Sequence, residues 1–164
     1  MALDTLTVAD CPVGRGLFAG RQYASGELIL VLEGPRYDRD HPIHGTDLGA
    51  NLLQTGWRTY ILLGAPGVFA NHSCHPNAGI AGNRRLVAIA PIAPGDEIRF
   101  DYSTTMAENY WTMPCLCGEN SCRGLVTDFK DLPPAIRSRY LRLGVVQKFI
   151  ARRYWQPGSG IPAA

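Results

Sequence analysis

Three cysteines crowd into the segment PCLCGENSCRG, where Cys115, Cys117 and Cys122 form a C-x-C-x4-C pattern with Gly118 and Gly124 at tight turns. Thiols so spaced can converge on one soft metal ion, and the intervening glycine, asparagine and glutamate would make a poor core segment. A closed zinc site takes four ligands, so one more must come from elsewhere; Cys11, Cys74, His72 and His75 are the candidates. The total of five cysteines is odd, and their clustering suits a metal in a reducing compartment better than a disulfide framework.

Three further segments carry possible chemistry. Gly14-Arg15-Gly16-Leu17-Phe18-Ala19 fits the G-x-G-x-x-G/A pattern of dinucleotide-binding folds, with Glu33 where a ribose-binding acid would stand. That fold needs a helix from the second glycine, yet residues 17–26 include Gly20 and Gly26 and run into another strand pattern. What remains is a strand-to-turn segment whose missing side chains let backbone groups approach a ligand. Asn71-His72-Ser73-Cys74-His75-Pro76-Asn77 is a polar stretch directly after the apolar Val68-Phe69-Ala70. Gly95-Asp96-Glu97-Ile98-Arg99-Phe100-Asp101-Tyr102 is a turn feeding a short strand that ends in a tyrosine.

Elements must hold these residues in place. The 164 residues, 46% of them hydrophobic, suit one domain with its own core. Apolar β-rich runs at residues 5–8, 27–33, 50–54, 58–63, 78–81, 85–90 and 97–101 are separated by turn signals, including a Gly82-Asn83 hairpin. This pattern predicts a mostly β domain. Pro133-Pro134 opens a helix that Gly144 stops, and a second helix is expected from about Val145 to Trp155, before a flexible tail at 157–164. A net charge of +2 is too mild for a nucleic-acid binder, and Arg137, Arg139, Arg142, Lys148, Arg152 and Arg153 read as a solvated helix face. The N-terminus lacks a signal-peptide pattern and no apolar stretch is long enough to span a bilayer, so a soluble intracellular protein is expected, in the cytoplasm or alternatively the nucleus.

Taken in order, GRGLFA, FANHSCHPNA, GDEIRFDY and CLCGENSCRG resemble the successive signatures of SET-domain lysine methyltransferases with a cysteine-rich post-SET loop. The resemblance covers residues 12 to 126 and implies the SET (β-clip) fold, with its pseudoknot and short C-terminal helices. It divides the chain into a SET domain at 1–113, a post-SET zinc loop at 114–126 and a helical appendix at 127–156. By the same resemblance Gly14, Arg15 and Gly16 line the methionine end of S-adenosylmethionine, Asn71 and His72 contact its other parts, and Tyr102 is the catalytic tyrosine. Cys74 falls at the family's fourth zinc position, joining Cys115, Cys117 and Cys122. Val68 stands where many relatives carry an arginine, and the short segment between Gly34 and Ala50, with His41 and His44, would form part of the substrate groove.

The implied reaction transfers methyl groups to the ε-amine of a lysine in a protein substrate. No dedicated general base is evident, so a dry channel must favour the neutral amine. Phe100 shares a strand face with Tyr102, and in this family a phenylalanine there permits di- or trimethylation. A SET-like binding module without turnover and a zinc-stabilised nucleic-acid module are the competing readings. Pairing into a homodimer is left open.

Overall fold

The computed structural model of the chain describes residues 5–154. The tail expected at 157–164 lies outside them. The first hairpin joins β1 (Leu6–Cys11) to β2 (Gly14–Ala19), antiparallel from Leu6↔Ala19 to Cys11↔Gly14. The sequence reads residues 14–19 as strand-to-turn, whereas all six are strand. A full antiparallel partner holds them extended, and Gly14 takes the turn's strain at φ 118°. Leu17 and Ala19 alternate into the core.

Next along the chain come β3 (Leu28–Val31), β4 (Arg36–Asp38), β5 (Leu52–Gly56) and β6 (Thr59–Leu62), the last three forming a sheet ordered β4-β6-β5. Residues 50–51, expected in a strand, close a 3-10 turn instead. The polar segment begins with β7 (Asn71–His72), and β8 (Ala78–Ala81) and β9 (Arg85–Ala88) follow as the hairpin signalled by Gly82-Asn83, with Gly82 at φ 68°. Strand β3 completes this second sheet in the order β3-β9-β8.

The strand β10 (Arg99–Phe100) lies parallel to β7, with Arg99 opposite Asn71 and Phe100 opposite His72. Residues 28 apart in the chain are thus neighbours across this pair. A 3-10 turn over Tyr102–Thr105 then leads to β11 (Met113–Pro114) and β12 (Leu125–Val126), which pair and bracket the cysteine loop.

The helices are α1 (Pro134–Leu143) and α2 (Lys148–Tyr154). Gly144 ends α1 in the left-handed conformation, as its sequence position implies. The second helix starts three residues later than expected, because Val145, Val146 and Gln147 are buried as an anchor and not wound. Gln147 donates through its amide to Thr104 C=O and through Nε2 to Asn83 C=O, both at 3.0 Å. Gly79 of β8 leaves room for Val145, whose Cβ would stand 2.6 Å from any added methyl. The main core gathers Leu17, Ile80, Leu86, Ile98 and Phe100, while Phe129, Leu132, Tyr140 and Phe149 form a second cluster that attaches the helices through Val87.

Candidate active site and metal centre

Pairing of β7 with β10 sets Asn71, His72, Phe100 and Tyr102 side by side. Asn71 Nδ2 donates to Arg15 C=O at 3.0 Å and to Glu97 Oε1 at 2.9 Å, tying the glycine hairpin to the polar segment. An added Cβ at Gly16 would sit 2.6 Å from Glu97 Oε1, so the carboxylate that Asn71 holds would have to shift. Cys11, the thiol outside the loop pattern, lies 3.5 Å from Asn71 Nδ2 and takes no part in the cysteine cluster.

Tyr102 donates its hydroxyl to Ala70 C=O at 3.1 Å, and its ring stands 4.9 Å from Phe100 and 5.3 Å from His72. Burial, with Glu97 nearby, pushes its phenol up to about 12. Burial pushes His72 down to about 4 against the opposing pull of Asp101, so the ring is neutral. With Tyr102 N–H donating to Nδ1 at 3.2 Å, the ring proton belongs on Nε2, which faces Cys74 Sγ 3.4 Å away.

Two clefts meet at this tyrosine. One, of about 470 Å³, is lined by Asn71, His72, Glu97, Arg99, Met113 and Leu116, together with Pro12 and Val13 of the hairpin turn. Gly14, Arg15 and Gly16, expected to line the cofactor, line neither cleft, and Arg15 meets Asn71 through its carbonyl. The other cleft, of about 430 Å³, is walled by Leu53, Phe100, Met106 and Trp111 and extends to His44, Glu108 and Tyr110. Tyr102 is the one described residue lining both. His41 and His75 are exposed and line neither.

Cys74, Cys115, Cys117 and Cys122 bring their sulfurs within 4.8 Å of one another. Four Zn–S bonds of about 2.3 Å in a tetrahedron set sulfur–sulfur edges of roughly 3.8 Å, and Cys74 and Cys115 stand 3.7 Å apart. Backbone N–H groups of Arg123 and Gly124 donate to Cys74 and Cys122 sulfur, each at 3.4 Å. The donor set therefore fits a metal ion.

Sequence reading missed the residues that fasten this cluster to the tyrosine. Arg99 donates to Cys117 C=O at 3.1 Å and to Glu119 Oε1 at 2.6 Å. Arg123, next to Cys122, donates through Nη2 to Asp101 Oδ1 at 2.9 Å, while Nη1 stands 2.8 Å from Oδ2 in a charge contact without hydrogen-bond alignment. Asp101 is fully buried and also accepts from Tyr140 of α1 at 3.0 Å. Strand alternation does signal that Asp101 points away from Phe100 and Tyr102. Nothing local signals its partner, 22 residues onward.

The sequence model of the SET domain matches residues 14–103, 90 of the chain's 164. A methyltransferase of Aspergillus flavus, flvH, is 32% identical over 91 residues, covering 54% of this chain and 51% of its own. The histone-lysine N-methyltransferase TRX1 of Oryza sativa subsp. japonica is 34% identical over 153 residues, 82% of this chain and 15% of its own. Human histone-lysine N-methyltransferase 2B is 27% identical over 126 residues, 67% of this chain and 5% of its own. The chain thus spans about half the length of the Aspergillus flavus relative and small fractions of the other two. A solved Plasmodium falciparum structure, described as a candidate histone methyltransferase, superposes with a TM-score of 0.50 at 21% identity over 60% of this chain and 93% of its own, a likeness of fold. With more than half its residues matched, the chain belongs to the SET-domain family.

Proposed function

We propose that the protein transfers methyl groups from S-adenosylmethionine to the ε-amine of lysine in a protein substrate. The observation carrying this reading is Tyr102, standing where two clefts meet, one able to take a cofactor and the other an extended peptide. Asn71 and His72 in the cleft wall, with Gly14, Arg15 and Gly16 of the adjoining strand tied to Asn71 through the Arg15 carbonyl, would hold the cofactor; Glu97 and Arg99 add a carboxylate and a guanidinium for its amino-acid end. When bound, that group supplies an electrophilic methyl on a positive sulfonium.

This chain's residues then have two tasks. Lysine at its ordinary pKa of ~10.4 is protonated at neutral pH, and the apolar wall of Phe100, Leu53 and Met106 disfavours the ammonium form. Tyr102 remains a neutral phenol whose own proton is engaged by Ala70 C=O, which leaves its oxygen lone pairs to accept from the amine and hold it in line. Phe100 carries no hydroxyl to fix a water in the channel, which supports di- or trimethylation. Cys74, Cys115, Cys117 and Cys122 would hold zinc, the ion that suits four thiolates in a closed tetrahedral site.

We retain the division into a SET domain, a post-SET loop at 114–126 and a helical appendix. No described helix is long and apolar enough to cross a membrane. A lysine-bearing protein met in the cytoplasm or nucleus is the partner we propose, and the names of the relatives make histones the first substrates to assay. Labelled methyl transfer to histones and mixed cellular protein by wild type and Tyr102→Phe tests the reading. A wild type that binds cofactor yet labels nothing would leave a binding module without turnover.

A further inference from the structure

The mild net charge of +2 averages over an uneven chain. From Leu132 to the C-terminus there are six lysines and arginines and no carboxylate side chain, so the rest of the molecule holds ten such cations against 14 acids, a net −4. Arg137 is spent within the fold, donating to Lys130 C=O and Leu132 C=O at 2.7 Å each. The other five are exposed: Arg139 and Arg142 three residues apart on α1, Lys148 and Arg152 four apart on α2, and Arg153 after them. Spacings of three and four put each pair on one helix face.

Two hairpin turns brace this surface and extend it. Gln147 Nε2 donates to Asn83 C=O at 3.0 Å, and Lys148 Cε lies 3.9 Å from where a Cβ on Gly82 would stand, so the β8–β9 turn sets exposed Arg84 and Arg85 beside the start of α2. At the other end of α2 the Arg153 guanidinium lies 3.7 Å over the ring of Trp57 in the β5–β6 turn, and Phe149 meets that ring edge-on at 4.9 Å. Stacking fixes the guanidinium plane while leaving its N–H edge free to donate. Among the described residues none of these seven cations makes a salt bridge, whereas Asp38 and Asp40, beyond the Trp57 turn, are both engaged by Arg58. None of the seven lines either cleft.

We propose that this face docks the phosphate backbone of duplex DNA. Six of the seven cations are arginines, whose planar forks match phosphate oxygens. Duplex DNA offers one negative charge per ~1.7 Å of axis in a stiff array, so binding releases counterions and orders little. An acidic peptide would have to be ordered on a surface without a groove, at a cost in entropy. A bilayer fits poorly, because Phe149 and Ile150 of α2 are buried and the helix keeps no apolar face to insert. Single strands bind through open aromatic faces, and Arg153 already covers Trp57. Duplex RNA withdraws its major groove into a deep, narrow slot, whereas that of B-form DNA, about 12 Å wide, admits a helix and brings phosphates of both strands within reach of it. A chain docked this way keeps both clefts open, and the assignment does not depend on methyl transfer.

Fluorescence anisotropy with the full chain and a mixed-sequence DNA duplex tests it. Binding is expected in the micromolar range at physiological salt, with log K falling linearly against log salt at a slope of about −5, as five or six neutralised phosphates give. Lys148→Gln with Arg152→Gln should weaken binding roughly tenfold and flatten the slope by about 2, and Arg84→Gln with Arg85→Gln, on a different element, should do the same. Arg36→Gln, which removes an exposed cation of β4, should change neither. All the substituted side chains are exposed, so unchanged melting temperatures are expected and show that the variants fold. Absence of binding at low salt, a slope near zero, undiminished binding by either double variant, or an equal loss from Arg36→Gln overturns the proposal. So does tighter binding of single-stranded DNA, duplex RNA, polyglutamate or vesicles of phosphatidylserine and phosphatidylcholine. Methyl transfer, assayed without DNA, is scored separately, so its failure leaves the docking face standing.

Discussion

Tyr102 owes its neutrality to where its hydroxyl lies, between the Ala70 carbonyl and the apolar wall of the cleft. Removing that oxygen while keeping the ring should misplace the amine, so Tyr102→Phe is expected to lower methyl transfer about 10²-fold with cofactor affinity nearly unchanged, as single-turnover assays and calorimetry would read. Its raised pKa fixes a pH dependence. A folded-state value of about 12, against an ordinary ~10, means the neutral phenol stabilises the native chain fully below about pH 10, and that contribution is lost as pH rises through about 12. Tyrosinate absorbance, taken as wild type minus Tyr102→Phe, should therefore appear only above roughly pH 11. Phe100 makes a separate prediction: mass spectra under excess cofactor should show di- and trimethyl-lysine accumulating, and Phe100→Tyr should shift the products toward monomethyl-lysine.

At the scale of elements, what distinguishes this fold is how its loop and helices are fastened. The cysteine loop is held to β10 by Arg99 on one side and by Arg123 reaching Asp101 on the other. Chelating the zinc proposed for the four cysteines should release this loop from the cleft that would hold the cofactor, which Leu116 and Cys117 help to line, before the β core melts. Cofactor affinity is expected to fall at chelator concentrations that leave the far-ultraviolet dichroism unchanged. Arg123→Ala should cost about 3–5 kcal/mol in denaturant unfolding, because it strands the Asp101 charge in the interior. The helices are equally integral. Gly79→Val would drive two methyls into Val145 and should lower stability by roughly 1–3 kcal/mol, lowering the melting temperature without touching the site.

Across the whole molecule, the parts readable from sequence were those encoded locally. The strands flanking Gly82-Asn83, the helix between Pro134 and Gly144, and the C-x-C-x4-C loop each carry their instructions within a dozen residues. Cys74 came from family likeness, because its own neighbourhood leaves three other ligands equally open. What escaped is non-local. The register that makes residues 14–19 a strand depends on β1, and the late start of α2 depends on burial of Val145 to Gln147 against strands far back in the chain. The Arg123–Asp101 contact joins segments whose proximity no periodicity announces.

One further consequence belongs to the arrangement of the clefts. They share a single described residue, so the chamber that would hold the cofactor and the groove that would hold the polypeptide need not empty together. A spent donor could be exchanged while the acceptor stays seated, and several methyl groups could be added during one encounter. Pulse-chase labelling would reveal this: the higher methylation states should carry chased label on molecules first modified in the pulse, even with a large excess of fresh acceptor present.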